Sequence, residues 1–142
     1  MPDLPTPSQT VGPFFNIGMP GEPLSDGPLR ITGTVYDGDG EPVADALIES
    51  WQADSGTFHR VETDADGRYE LATVETADDF ILVAVFARGL LKHLVTRIYF
   101  ALDDVPAEFP RRETLVANGG NQGVWTFDIR IQGQDETVFF DV

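Results

Sequence analysis

The chain contains no cysteine, only two histidines, and nine lysines or arginines against 24 aspartates and glutamates. Without cysteine it can form no disulfide bridge and no thiolate metal site, and it has no thiol nucleophile. Its net charge of −15 at pH 7 argues against binding to nucleic acid or to an anionic membrane surface, because both are negatively charged. The function must therefore need neither thiols nor a basic surface.

Long apolar runs and a basic, apolar leader are also missing. The first ten residues, MPDLPTPSQT, carry neither the positive charge nor the hydrophobic stretch of a secretion signal. The longest apolar run, from Phe80 to Ala87, is too short to cross a bilayer. We therefore expect a soluble, cytoplasmic protein.

What is present divides into two regions. Residues 1–28 hold most of the ten prolines and no periodic pattern, which predicts an extended N-terminal arm. The apolar side chains of Phe14 and Phe15 lie within this arm, and we expect them to anchor it on a neighbouring chain. Residues 29–142 alternate between apolar and polar side chains, which predicts a single β-sandwich domain.

The pattern predicts about seven strands and almost no helix, in an immunoglobulin-like or transthyretin-like layout. The central stretch begins as a strand at Ala46, opens into a polar loop that carries Phe58 and His59, and re-enters a strand through the Asp66-Gly67 turn. The segment NGGNQG is predicted to be a loop, and a helical turn is predicted near residues 111–117. The other predicted strands cover residues 29–37, 80–89, 93–101, 124–132 and 137–142.

The strand over residues 93–101 has two distinct faces. Its core face is predicted to carry Leu94, Thr96, Ile98 and Phe100, and its other face His93, Val95, Arg97 and Tyr99. Arg97 has two interpretations from the pattern alone. It is either a surface arginine paired with an acidic residue, or a clamp for an anion, since a guanidinium contacts a carboxylate through two parallel hydrogen bonds.

Several blocks of the sequence resemble the intradiol ring-cleavage dioxygenases, and in particular the alpha-subunit family of the two-subunit protocatechuate enzymes. The resemblance covers nearly the whole chain. The blocks are TPSQTVGPFF, ESWQAD, TDADGRYEL, FARGLLKHLVTRIYF, RRETLVA and FDIRIQGQDETVFFD.

The resemblance implies an activity and a division of labour between two subunits. Such enzymes cleave protocatechuate with O2 to 3-carboxy-cis,cis-muconate, in the β-ketoadipate pathway, on a ferric iron held by two tyrosines and two histidines. In the two-subunit enzymes only the beta subunit holds the iron. We therefore expect this chain to join a homologous beta subunit in an αβ heteromer and in a higher oligomer of such pairs.

The ligand positions implied by the resemblance are degenerate in this chain. Phe58 stands at the first tyrosine position, and Phe80 and Leu82 stand at the two histidine positions. The second tyrosine falls in a segment shortened to TVETADD, which contains no tyrosine. Since phenylalanine and leucine offer no lone pair to a metal, we expect this chain to bind no metal and to carry no catalytic residue.

The resemblance also implies that this chain contributes residues to the substrate pocket of the beta subunit. The residues implied are Thr10, Gly12 and Pro13 of the arm, which would shape the rim, and Arg97, which would favour an aromatic carboxylate substrate. Two alternatives remain at this point. One is a stand-alone transthyretin-like binding module without catalysis, and the other is a self-sufficient dioxygenase with displaced ligands, drawn from Tyr69, Tyr99, His59 and His93.

Overall fold

The computed structural model describes residues 29–74 and 77–141 of the chain. In this part of the chain nine strands form two facing sheets, which confirms the predicted β-sandwich. The strands are β1 Leu29–Tyr36, β2 Leu47–Gln52, β3 Thr57–Glu62, β4 Arg68–Thr73, β5 Phe80–Phe86, β6 Leu94–Tyr99, β7 Asn118–Asn121, β8 Val124–Thr126 and β9 Ile129–Arg130. Two short 3-10 helices, Leu102–Asp104 and Arg112–Leu115, lie between β6 and β7.

The first sheet has the order β4-β1-β8-β7, with β9 paired to the far end of β1. The second sheet has the order β3-β2-β5-β6, and all of its neighbours are antiparallel. Alternate side chains of both sheets point inward because successive residues of a strand face opposite ways. The core between the sheets includes Ile31, Val35, Leu71 and Ile129 from the first sheet, Phe127 from the link between β8 and β9, and Ile48, Val61, Ile81, Val83, Val85 and Ile98 from the second sheet.

Two turns are stabilised by aspartate side chains that accept hydrogen bonds from the backbone. The carboxylate of Asp37 accepts hydrogen bonds from the backbone N–H groups of Asp39 and Glu41, and Asp64 does the same for Asp66 and Arg68. Gly67 has φ of +73°, the left-handed conformation that its turn requires. The first turn follows β1, and the second connects β3 of the second sheet to β4 of the first.

The predicted loop around Phe58 and His59 is wrong, because both residues lie within strand β3. The segment alternates in the structure: His59 and Val61 are buried, whereas Phe58 and Glu62 are exposed. A histidine at an inward position hid this alternation from the sequence pattern. Its Nδ1 accepts the backbone N–H of Ala72 at 3.2 Å, which offsets part of the cost of burying an imidazole.

The C-terminal third differs from the prediction in three further ways. The strand predicted over residues 124–132 is broken into β8 and β9, and NGGNQG contributes the short strand β7 instead of being all loop. The strand predicted over residues 137–142 does not form in the described residues up to 141. That segment instead crosses the edge of the second sheet, where Phe140 makes a single bridge to Val95 of β6.

A second, smaller core forms where this C-terminal segment covers β6. Tyr99, Val105, Leu115 and Val138 are buried there. Phe80, Phe109 and Phe140 pack against them from the outer side of the second sheet. No helix in the described part of the chain is long and apolar enough to span a membrane.

Candidate functional site

One row of side chains crosses all four strands of the second sheet. Phe58 of β3 pairs with Trp51 of β2, Trp51 pairs with Leu82 of β5, and Leu82 pairs with Arg97 of β6. Directly opposed residues project from the same face of a sheet. Because strands lie about 4.8 Å apart, this outer-face row is about 14 Å long, with hydrocarbon at one end and a cation at the other.

The apolar part of the outer-face row is exposed to an unusual degree. Trp51 is 43% exposed, Phe58 40% and Leu82 36%. Together with Ala84 and Val95 they line a shallow trough of about 320 Å³. Contiguous apolar surface of this kind is typical of a face that another protein covers.

At the cationic end of the row, Arg97 sits among aromatic rings. Its guanidinium carbon lies 4.4 Å from the ring centre of Phe80, 4.5 Å from that of Phe140 and 6.0 Å from that of Phe109. We call these three phenylalanines the aromatic cage. The Nη1 of Arg97 also donates to the hydroxyl of Tyr99 at 3.3 Å. Ring faces attract a guanidinium through their negative quadrupole, so the cage stabilises the charge without neutralising it.

Arg97 has no carboxylate partner among residues 29–74 and 77–141, although the chain has 24 acidic residues. Its Nε is buried, with no hydrogen-bond acceptor in that part of the structure. By contrast, Arg60 of β3, on the same face, pairs with Glu49 at 2.8 Å. The surface-pair interpretation of Arg97 is therefore wrong for the described residues.

The structure brings together four of the residues singled out from the sequence. Phe58, Phe80, Leu82 and Arg97 all project from the outer face of the second sheet. The three positions at which the resemblance implies lost metal ligands therefore lie on the same surface as Arg97. Thr10, Gly12 and Pro13 lie outside the described residues.

The displaced-ligand set is not assembled. Tyr69 belongs to the first sheet and donates its hydroxyl proton to the carbonyl oxygen of Phe127. Burial, and then the charge of Asp128, raise the pKa of Tyr69 far above its ordinary value, which keeps the phenol neutral. His59 faces the core, whereas His93 stacks on Phe86 with ring centres 5.1 Å apart. These side chains point to different parts of the molecule and cannot share one ion.

A larger groove of about 810 Å³ lies elsewhere, around strands β1 and β4. Its lining mixes hydroxyls such as that of Thr32 with carboxylates such as those of Glu62 and Glu70. Size alone does not make it the better candidate, because its acidic lining disfavours an anion. The outer-face row has both an apolar trough and an available cation.

Sequence reasoning missed two members of the site, Phe109 and Phe140. Their rings contact each other with centres 5.3 Å apart, and both lie beside Arg97. Phe140 reaches this place because its backbone N–H donates to the carbonyl of Val95 at 2.8 Å. The C-terminal segment brings Phe140 to β6, and the stretch between the two 3-10 helices brings Phe109 there. A pattern confined to one strand carries no signal of either contact.

Comparison with known proteins places this architecture in a class. A family model for the carboxypeptidase regulatory-like domain matches residues 30–98. The solved dioxygenase domain of a dioxygenase and carbohydrate-binding fusion protein from Streptomyces sp. SirexAA-E is 26% identical, with a TM-score of 0.58. That match covers 92% of this chain and 99% of the Streptomyces domain. The fold is therefore that of a dioxygenase β-sandwich.

Curated relatives narrow the class to one family. The protocatechuate 3,4-dioxygenase alpha chain of Burkholderia cepacia is 38% identical to this chain, and the match covers 96% of this chain and 97% of the relative. A protocatechuate 3,4-dioxygenase beta chain from Burkholderia cepacia is 28% identical, over 82% of this chain and 69% of the relative. The chain belongs to the family of protocatechuate 3,4-dioxygenase alpha chains, which confirms the resemblance inferred from the sequence blocks.

Proposed function

We propose that this chain is the subunit of a protocatechuate 3,4-dioxygenase that binds no iron and completes the reaction pocket of a homologous beta chain. The assembled enzyme would cleave protocatechuate with O2 to 3-carboxy-cis,cis-muconate. The observation that carries this proposal is the outer-face row, in which hydrocarbon occupies degenerate ligand positions and an unneutralised arginine stands beside them. The alpha and beta relatives in one organism support a partnership of two homologous chains.

The side chains at the degenerate positions do not fit a ferric ion. Phe58, Phe80 and Leu82 have no donor atom, whereas non-haem iron takes imidazole nitrogen and oxygen ligands. Among the described residues, no group of three or more histidines, aspartates and glutamates could hold a metal. We therefore assign Fe(III) to the beta chain and derive no step on this chain that involves it.

The proposed contribution of this chain is that Arg97 binds the carboxylate of the substrate. Protocatechuate carries a carboxylate, and a guanidinium with free N–H groups can bind it through charge-assisted hydrogen bonds. The half-buried, aromatic surroundings strengthen that attraction because fewer waters compete for the charge than at an exposed site. Thr10, Gly12 and Pro13 would shape the rim of the same pocket.

The role of Arg97 is tested in the complex of this chain with a beta chain. Arg97→Ala should raise the KM for protocatechuate about 10- to 100-fold, the range expected for loss of a hydrogen bond to a charged group. Catechol, which lacks the carboxylate, is the control substrate, and its KM should change little. Unchanged kinetics with protocatechuate would remove Arg97 from the substrate pocket.

The partnership itself is tested by co-expression. This chain, a beta-type chain and the pair are each purified and assayed for ring cleavage. We expect a stable complex in which the pair is more active than either chain. Failure of the chains to co-purify would favour a stand-alone binding module.

A further inference from the structure

We propose that Phe80 is a positioning residue for Arg97, and that Phe140 closes the same aromatic cage from the C-terminal segment. The inference rests on the proposed function, because it concerns how Arg97 is presented to a substrate carboxylate. It goes beyond that function by giving a role to a degenerate ligand position. The ring of Phe80 cannot coordinate a metal, but it contacts the guanidinium of Arg97 and fixes its position.

The geometry of Phe80 supports this role. Phe80 opens strand β5 and pairs with Tyr99, two residues beyond Arg97 on the same face of β6. Its ring is the nearest of the three to the guanidinium carbon, at 4.4 Å. It is itself fixed against the buried ring of Tyr99, with ring centres 5.4 Å apart. A ring held in this way offers the guanidinium a preorganised surface.

Phe140 reaches the guanidinium from outside the sheet. Its ring centre lies 4.5 Å from the guanidinium carbon, and its backbone is pinned to Val95. Phe109 packs behind it. Arg97 is therefore contacted by one ring from its own sheet and by one from the chain's C-terminal segment.

Charge explains why a cage is needed here. An arginine side chain is long and flexible, and on a protein with a net charge of −15 it has many carboxylates to pair with. A carboxylate partner would neutralise the guanidinium and compete with the substrate. Ring faces hold the cation in place without neutralising it, although its Nη1 also donates to the hydroxyl of Tyr99. A histidine at position 80, when protonated, would instead repel the guanidinium.

The test uses the αβ complex and the ratio of kcat/KM for protocatechuate to kcat/KM for catechol. This ratio does not depend on how much active enzyme forms, so a general loss of folding leaves it unchanged. Phe80→Leu keeps an apolar side chain but removes the ring, and should lower the ratio about 3- to 30-fold, the range expected for a cation–π contact. Phe80→Tyr restores a ring face and should return the ratio to near the wild-type value.

Phe86→Leu is the matched control, because Phe86 lies on the same strand and face but stacks on His93 instead of Arg97. It should leave the ratio unchanged. Phe140→Leu should lower it as Phe80→Leu does, and serves as the second variant if Phe80→Leu prevents assembly.

The outcomes separate this inference from the proposed function. If Arg97→Ala lowers the ratio and neither Phe80→Leu nor Phe140→Leu does, the cage is not a positioning device, although the function of Arg97 stands. An equal loss of activity toward both substrates in the phenylalanine variants would show a purely structural role and overturn the inference. If Arg97→Ala itself leaves the ratio unchanged, the proposed role of Arg97 fails first.

Discussion

Tyr69 shows how burial fixes the protonation state of one residue. Its phenol is buried in the core and donates to a backbone carbonyl, and burial together with Asp128 raises its pKa well above the ordinary value of 10.0. The folded chain therefore keeps a proton that the unfolded chain loses above about pH 10. Stability that is present below this pH should be lost as the pH rises.

Tyr69→Phe should remove that alkaline loss. The variant should be less stable than the wild type by about 1 kcal/mol at pH 8, because it lacks the hydrogen bond to Phe127. Between pH 9 and pH 11 its free energy of unfolding should then fall less steeply. Urea denaturation at several pH values measures both effects, and parallel pH profiles would contradict the assignment.

At the same scale, the sequence predicted some residues of the site and not others. Arg97 could be singled out because a cation on an alternating strand is conspicuous. The sequence predicts a loop at His59 because nothing local shows that the N–H of Ala72, on another strand, pairs with its imidazole. Phe140 could not be predicted for a similar reason, since it lies 43 residues beyond Arg97 and only the tertiary fold brings the two together.

Among the elements, the break between β8 and β9 is the one with the clearest cause. At the break, the backbone N–H of Thr34 on β1 bonds to the carboxylate of Asp128 instead of to a ladder carbonyl. The carbonyl of Phe127 lies against Gly33, where a Cβ atom would meet its oxygen at 1.9 Å. Alternation alone predicted one continuous strand here because it carries no information about this side chain-to-backbone exchange.

Gly33→Ala should therefore destabilise the protein strongly. The added methyl group would collide with backbone and with the ring of Tyr69, and neither can move freely. We expect a loss of about 3 kcal/mol, the upper part of the range for overpacking. Gly38→Ala is the control, since the nearest atoms to its Cβ would belong to the flexible side chain of Gln132, at 3.3 Å. Equal urea midpoints for the two variants would contradict this account of the break.

The remaining strands were largely predictable from the sequence. β1, β2, β4 and β6 follow the period-two pattern, and β5 is recognisable as a short, continuous apolar run. The exceptions lie where tertiary contacts override local pattern, as at β3 and in the C-terminal segment. These exceptions include part of the candidate site, whose cage is assembled from separate segments.

For the whole molecule, the outer face of the second sheet is the proposed contact with the beta chain. Leu82→Asp places a charge at the centre of the outer-face row and should abolish or greatly weaken co-purification with the beta chain. Because Leu82 is already 36% exposed, the fold itself should be little affected. Val124→Asp is the matched control, at an apolar residue 43% exposed on the other sheet. Equal co-purification of the two variants would place the interface elsewhere.

The central claim, that this chain completes a partner's reaction pocket and binds no iron itself, is tested most directly by metal analysis. Iron is measured by mass spectrometry in the purified chain and in the purified αβ complex, each against protein concentration. We predict one iron per αβ pair and none in the chain alone. Two irons per pair, or one iron in the isolated chain together with ring cleavage, would contradict the account.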